Sequence, residues 1–169
     1  MSDKKVYNIW RDILTRCGSP KYPTYLKCEI CVAWLNFKNF YSWYKENYYT
    51  VNDEKMCVNK DILVKGNKLY SPKTCCIVPE TINMLFTNRK RYRGELPVGV
   101  TFKDSKYMAK FKRNGHDFYL GCYDNVNDAF TNYKYAKEYY IKTVAKKYHA
   151  WIPQRVYDAL MNYKIEITD

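Results

Sequence analysis

At 169 residues, with 47% apolar and 18% aromatic content, the chain can pack one domain or two very small ones. Its formal net charge of +12 favours polyanionic partners, and the surplus is spread along the chain: residues 1–87 hold 13 Lys/Arg against 8 Asp/Glu, and residues 88–169 hold 16 against 9. No apolar run approaches the ~18 residues of a membrane-spanning helix, Met1-Ser2-Asp3-Lys4-Lys5 does not open a signal-peptide core, and seven cysteines, an odd number, point to free thiols in a reducing, cytoplasmic setting.

Tyr7, Trp10, Ile13 and Leu14 recur at helical spacing, and Gly18-Ser19-Pro20 stops that helix. Cys31-Val32-Ala33-Trp34-Leu35 leads into a second helix with Asn36 as N-cap and Phe37, Phe40, Tyr41 and Tyr44 on its apolar face. This aromatic density reads as core packing. Residues 56–79 read as a short hairpin or strand-loop unit, with Val58, Ile62 and Val64 strand-like and Lys65-Gly66-Asn67 and Ser71-Pro72 as turns. Pro79 opens a short helix from Glu80 to about Phe86, with Ile82, Leu85 and Phe86 facing inward. Residues 88–97 form a basic linker, in which Arg89, Lys90, Arg91 and Arg93 are placed to track phosphates.

From Val98 the period changes to two. Tyr107 to Lys112 alternates, Asn114-Gly115 is a hairpin turn, and Phe118 to Tyr123 returns as the next strand. Asn125 caps a long helix with Asp128 at the capping-box position, and Ala129, Tyr133, Ala136, Tyr140 and Val144 make its inner stripe. A last helix begins near Pro153 and carries Val156, Leu160 and Tyr163 before a strand-like Ile165-Glu166-Ile167. The class is α+β: a small helical and ββα module over residues 1–87, then a three-stranded antiparallel sheet on a long helix over 98–150, then a C-terminal helix and tail over 151–169.

Alternation assigns Ala109, Phe111, Leu120 and Cys122 to the helix side of that sheet. It places Met108, Lys110, Lys112 and Tyr119 outside, joined by Thr101 and Lys103 from the first strand. A β-ribbon of this kind fits the major groove, where Lys reaches guanine acceptors and Thr or Met touches a thymine methyl. Gly99-Val100, Lys106 to Lys110, Tyr119 to Asp124, Asp128-Ala129-Phe130, Tyr133 and Ala136 together make this module resemble the Apetala-type (plant ethylene-response-factor) DNA-binding domain. The resemblance implies that the sheet enters the major groove of double-stranded DNA with the helix behind it. Val98 and Thr101 stand where that family has arginine, which weakens bidentate guanine reading.

The first half resembles phage-type HNH homing endonucleases. The residues that carry this are Trp10, Arg16-Cys17, Cys31, Trp34, Phe37, Phe40, Asn59-Lys60-Asp61, Gly66-Asn67, Tyr70-Ser71-Pro72, Thr74-Cys75 and Ile82-Asn83. Tyr157 to Leu160 and Ile165 to Ile167 add to the likeness. Such a nuclease needs a general base for water and oxygen or nitrogen ligands for one divalent ion. The motif's histidine is missing: Lys60 and Asn59 occupy its region, and a lysine is protonated near neutral pH. Only His116 and His149 are present, and neither lies in this module. Asp61, Asn67 and Asn83 are the remaining catalytic candidates, with Mg²⁺ as cofactor if cleavage occurs.

Cys28-Glu29-Ile30-Cys31 has zinc-knuckle spacing, and Cys17, Cys57, Cys75 or Cys76 could complete four thiolates for structural zinc, with Cys17 and Cys75 the chosen candidates; buried free thiols are the competing expectation. The reading with most support is a phage-type double-stranded-DNA-binding protein derived from a homing endonuclease, with weak or no cleavage. One alternative is an active metal-dependent nickase. The other is a phage factor that binds and inhibits a host protein or nucleoprotein.

Overall fold

The computed structural model describes residues 2–87, 94–113 and 115–169. Their contacts divide the chain into two units, one of residues 1–86 with 151–156 and the other of residues 87–150 with 157–169. The architecture is α+β. Among the described residues no helix is long and apolar enough to cross a membrane.

The first unit opens with α1 (Asp3–Arg16), which turns Val6 and Ile13 into the core. A single 3₁₀ turn, Val32–Leu35, precedes α2 (Phe37–Asn47). Asn36 caps α2 as its sequence position suggests, accepting from the Lys38 N–H at 2.9 Å. The aromatics pack as a core: Trp34 meets Phe40 edge-on at 5.0 Å and Trp43 at 4.6 Å. The Trp10 indole N–H donates to the Trp34 carbonyl at 2.8 Å, fixing α1 against this cluster. Phe40 is fully buried, which stabilises the unit by roughly 1.5–3 kcal/mol for that side chain alone.

Two small sheets complete the unit. β1 (Glu29–Ile30) pairs in parallel with β3 (Leu69–Tyr70), a pairing too short to read from periodicity. β2 (Met56–Asn59) pairs antiparallel with β4 (Cys76–Pro79) and is followed by α3 (Glu80–Met84), so a ββα arrangement is present. Ile62 and Val64, strand-like in sequence, lie instead in the loop between β2 and β3. The Asn59 carboxamide oxygen accepts the backbone N–H groups of Asp61 and Ile62 at 2.8 and 2.9 Å, which diverts both from any ladder.

In the second unit β5 (Val100–Lys103), β6 (Lys106–Arg113) and β7 (His116–Tyr123) form one antiparallel sheet in sequential order. α4 (Val126–Tyr148) begins at Asn125, whose side chain accepts from the Asp128 N–H at 2.9 Å. It packs Ala129, Tyr133, Ile141 and Val144 into the core. Gly99 takes φ +78°, and a Cβ there would lie 2.0 Å from the Tyr133 ring. A glycine is therefore required where β5 starts against the helix.

Two sequence expectations for this unit are corrected. The register of β6 and β7 shifts between Ala109 and Lys110: Ala109 faces Gly121, Lys110 faces Tyr119, and Leu120 is the extra residue of a bulge. Strict alternation is thereby broken, so Phe118 and Gly121 share the helix side with Phe111 and Ala109. Cys122, paired with Met108, lies on the outer side and is exposed. Ile165 to Ile167 is not a strand. The Ile165 N–H goes to the buried Glu138 carboxylate at 2.8 Å and its carbonyl accepts from Lys134, so side chains of α4 take the groups a ladder would need. The last helix, α5, spans Gln154–Met161.

Candidate nucleic-acid interface

Residues opposite one another in an antiparallel ladder present their side chains to the same face. On the outer face of β5–β7, Thr101 lies opposite Met108 and Met108 opposite Cys122. Lys103 lies opposite Lys106, Lys110 opposite Tyr119, and Lys112 opposite Asp117. The six sheet residues singled out from the sequence, Thr101, Lys103, Met108, Lys110, Lys112 and Tyr119, therefore share one face, and Lys106 joins them. Tyr119 is 57% exposed, and its hydroxyl lies 2.9 Å from the Cys122 sulfur.

This face is less positive than its lysines suggest. Lys110 donates to Asp117 at 2.9 Å, and Lys112 lies 3.5 Å from the other oxygen of the same carboxylate. The hydrogen bond from Lys110 and the two nearby positive charges hold the Asp117 carboxyl below its ordinary range. Lys106 pairs with Asp124, and Lys103 is 3.9 Å from Asp104. Asp117, Lys106 and Cys122 are additions that the outward set from alternation did not contain. Asp117 was legible: Arg113 lies opposite His116 and hence Lys112 opposite Asp117, the register that a tight hairpin between them in sequence requires. Cys122 was not, because only the bulge moves it. Arg89, Lys90, Arg91 and Arg93 lie outside the described residues.

In the first unit, the three catalytic candidates join one hydrogen-bond network around the loop after β2. Lys60 is buried, and its ammonium donates to Asp61 Oδ1 at 2.6 Å and to the Asn67 carbonyl at 2.8 Å. Asn67 Nδ2 donates to the Lys60 and Leu69 carbonyls at 2.9 and 2.7 Å, while its Oδ1 accepts from the Leu69 N–H at 3.0 Å. Asn83, on α3, accepts from Asn59 Nδ2 at 2.9 Å. Asp61 Oδ1, Asn67 Oδ1, Asn59 Oδ1 and Asn83 Oδ1 each accept a hydrogen bond within this network. The Lys60 ammonium supplies beside Asp61 the positive charge that a divalent ion would otherwise bring.

The cysteines named for zinc are free thiols of this unit: Cys28 and Cys75 are buried, Cys17 and Cys31 partly so. Burial pushes Cys75 up to about 12, and it raises Cys17 too, with the neighbouring Cys28 adding to the effect. Among the described residues, no group of three or more His, Cys, Asp or Glu side chains is placed to hold a metal.

Comparison with protein-family models, curated proteins and solved structures finds no match to this chain.

Proposed function

We propose that this chain is a double-stranded-DNA-binding protein of the cytoplasm whose β5–β7 face enters the major groove. Its nuclease-like first unit serves as a scaffold with weak or no cleavage. The observation that carries this reading is the convergence of Thr101, Met108, Lys110, Lys112 and Tyr119 on one face of a short, twisted-ribbon-sized sheet backed by a helix. Lys110 and Lys112 reach guanine N7 and O6, and Thr101 and Met108 meet thymine methyls. Arg89, Lys90, Arg91 and Arg93 bind phosphate and set the salt dependence.

The scaffold role of the first unit is supported by Lys60. A buried ammonium tied to Asp61 and the Asn67 carbonyl is a poor general base and places a positive charge beside the one candidate carboxylate. Supercoiled plasmid incubated with the protein and Mg²⁺ or Mn²⁺, or with chelator, tests both halves. The expected result is a mobility shift without nicking. Metal-dependent nicking that is lost in Asp61→Ala overturns the scaffold reading in favour of a nickase. Absence of both shift and nicking overturns DNA binding and turns attention to a host protein or nucleoprotein.

A further inference from the structure

Four lysines line the outer sheet face, and each has a carboxylate beside it. Asp117 differs from the other two acids. Asp104 lies 3.9 Å from Lys103 at a turn, and Asp124 serves Lys106 at the far end of β7. Asp117 stands within the ladder, directly opposite Lys112, and spans two lysines with its two oxygens. Lys110 and Lys112 are the two residues that the proposed function assigns to guanine. Both ammonium groups are thus held by an internal anion that occupies the place of a phosphate or a base acceptor.

We propose that Asp117 is a specificity-determining residue of this face: its carboxylate withholds Lys110 and Lys112 from the phosphates of arbitrary DNA and yields them where base acceptors replace it. The inference rests on the proposed DNA-binding reading. The physical argument is competition. Non-specific affinity comes from lysines neutralising phosphates, and each such contact releases counterions. A lysine already paired must give up its partner first, so the pair lowers binding wherever phosphates alone are offered in exchange. At a site with well-placed acceptors the exchange is restored by direct hydrogen bonds, and the freed carboxylate can accept from a cytosine N4 amino group. An acid in the middle of a reading surface thus lowers the background more than the target, which is how discrimination is gained. The pairs are exposed enough to exchange: Lys110 and Asp117 retain 38% and 51% of their side-chain surface.

The test uses the full chain, a random-sequence duplex and a series of NaCl concentrations, with binding read by fluorescence anisotropy. Asp117→Asn keeps the shape and removes the charge. It should bind the random duplex about three- to tenfold more tightly at ~0.1 M salt, with a log–log salt slope steeper by about 1. Asp104→Asn changes the net charge by the same amount near the same sheet and should shift affinity far less. Equal affinity of wild type and Asp117→Asn, with wild type binding, overturns the inference and leaves the DNA-binding reading intact. An equal gain in Asp104→Asn also overturns it, because overall charge would then be the cause. If neither wild type nor Asp117→Asn binds the duplex at low salt, both the inference and the DNA-binding reading fall.

Discussion

In the first unit Lys60 donates to Asp61 at 2.6 Å with 8% of its side chain exposed; in the second, Lys110 donates to Asp117 at 2.9 Å with 38% exposed. The chemical groups are the same and the distances are close. Their surroundings separate them. Lys60 is itself buried and has a second acceptor in the Asn67 carbonyl, and the loop that holds it is tied by Asn59 and Asn67, so removing its ammonium breaks two hydrogen bonds of one network. Lys110 faces water, where an ion pair gains little and exchanges freely. The first pair is architecture, and the second is available to a ligand. Residue type alone does not identify a binding lysine; burial and the count of internal acceptors do.

This contrast can be broken in several ways. The largest effect concerns the platform of the exposed pair. Gly99→Ala places a methyl 2.0 Å from the Tyr133 ring at φ +78°. It should cost roughly 3 kcal/mol from overpacking and backbone strain together, and lower the melting temperature of the second unit. A thermal melt unchanged by this substitution would mean that the β5–helix contact does not hold the sheet.

A comparable effect comes from a lysine that is buried without a carboxylate. Lys137 lies under Phe111 and Tyr140, its ammonium 5.4 and 5.8 Å from their ring centres, and burial brings its pKa down from 10.5 to about 8. Between those values the unfolded chain binds the proton and the folded chain does not, so stability rises with pH across that window. Lys137→Met should therefore stabilise the protein by ~3 kcal/mol near pH 7, as an upper figure from that shift, and the advantage over wild type should shrink as pH rises from 8 toward 10.5. Denaturant melts of both chains at several pH values measure this. A difference independent of pH would show that Lys137 is not charged and buried at neutral pH.

Lys60→Met should destabilise the first unit by about 2 kcal/mol, since the Asn67 carbonyl and Asp61 lose their donor. The smallest effect on stability belongs to the exposed pair: Lys110→Ala and Lys112→Ala should leave the melting temperature unchanged while lowering duplex affinity. If Lys60→Met were as silent in melting as Lys110→Ala, the distinction between the two pairs would fail. If Lys110→Ala kept full affinity for duplex DNA, the sheet face would not be the reading surface. Replacing Arg89, Lys90, Arg91 and Arg93 together with Ala should weaken binding to all sequences alike and flatten the salt slope.

Much of the scaffold is legible in the sequence. Helical spacing marked α1, the N-cap Asn36 marked α2, and Asn125 marked α4, because caps and apolar stripes are local signals within a few residues. Period-two alternation and the Asn-Gly turn marked β6 and β7 and brought Lys110, Lys112 and Tyr119 to one side. Local signals misled where a side chain intercepted the backbone. Ile62 and Val64 look like strand, yet Asn59 captures the loop's N–H groups; Ile165 to Ile167 look like strand, yet Glu138 and Lys134 capture theirs.

The sequence by itself determined the α+β class, the charge surplus and the placing of Thr101, Lys103, Met108, Lys110, Lys112 and Tyr119 on one face of the sheet. Each follows from residue type and short-range period. Only the tertiary structure decided that Leu120 is a bulge and Cys122 faces outward, that Asp117 clasps Lys110 and Lys112, and that Lys60 is buried and bonded to Asp61 and Asn67. Those outcomes depend on register, burial and partners distant in the chain, and a hydrogen bond is a choice among competing acceptors that only the folded geometry makes.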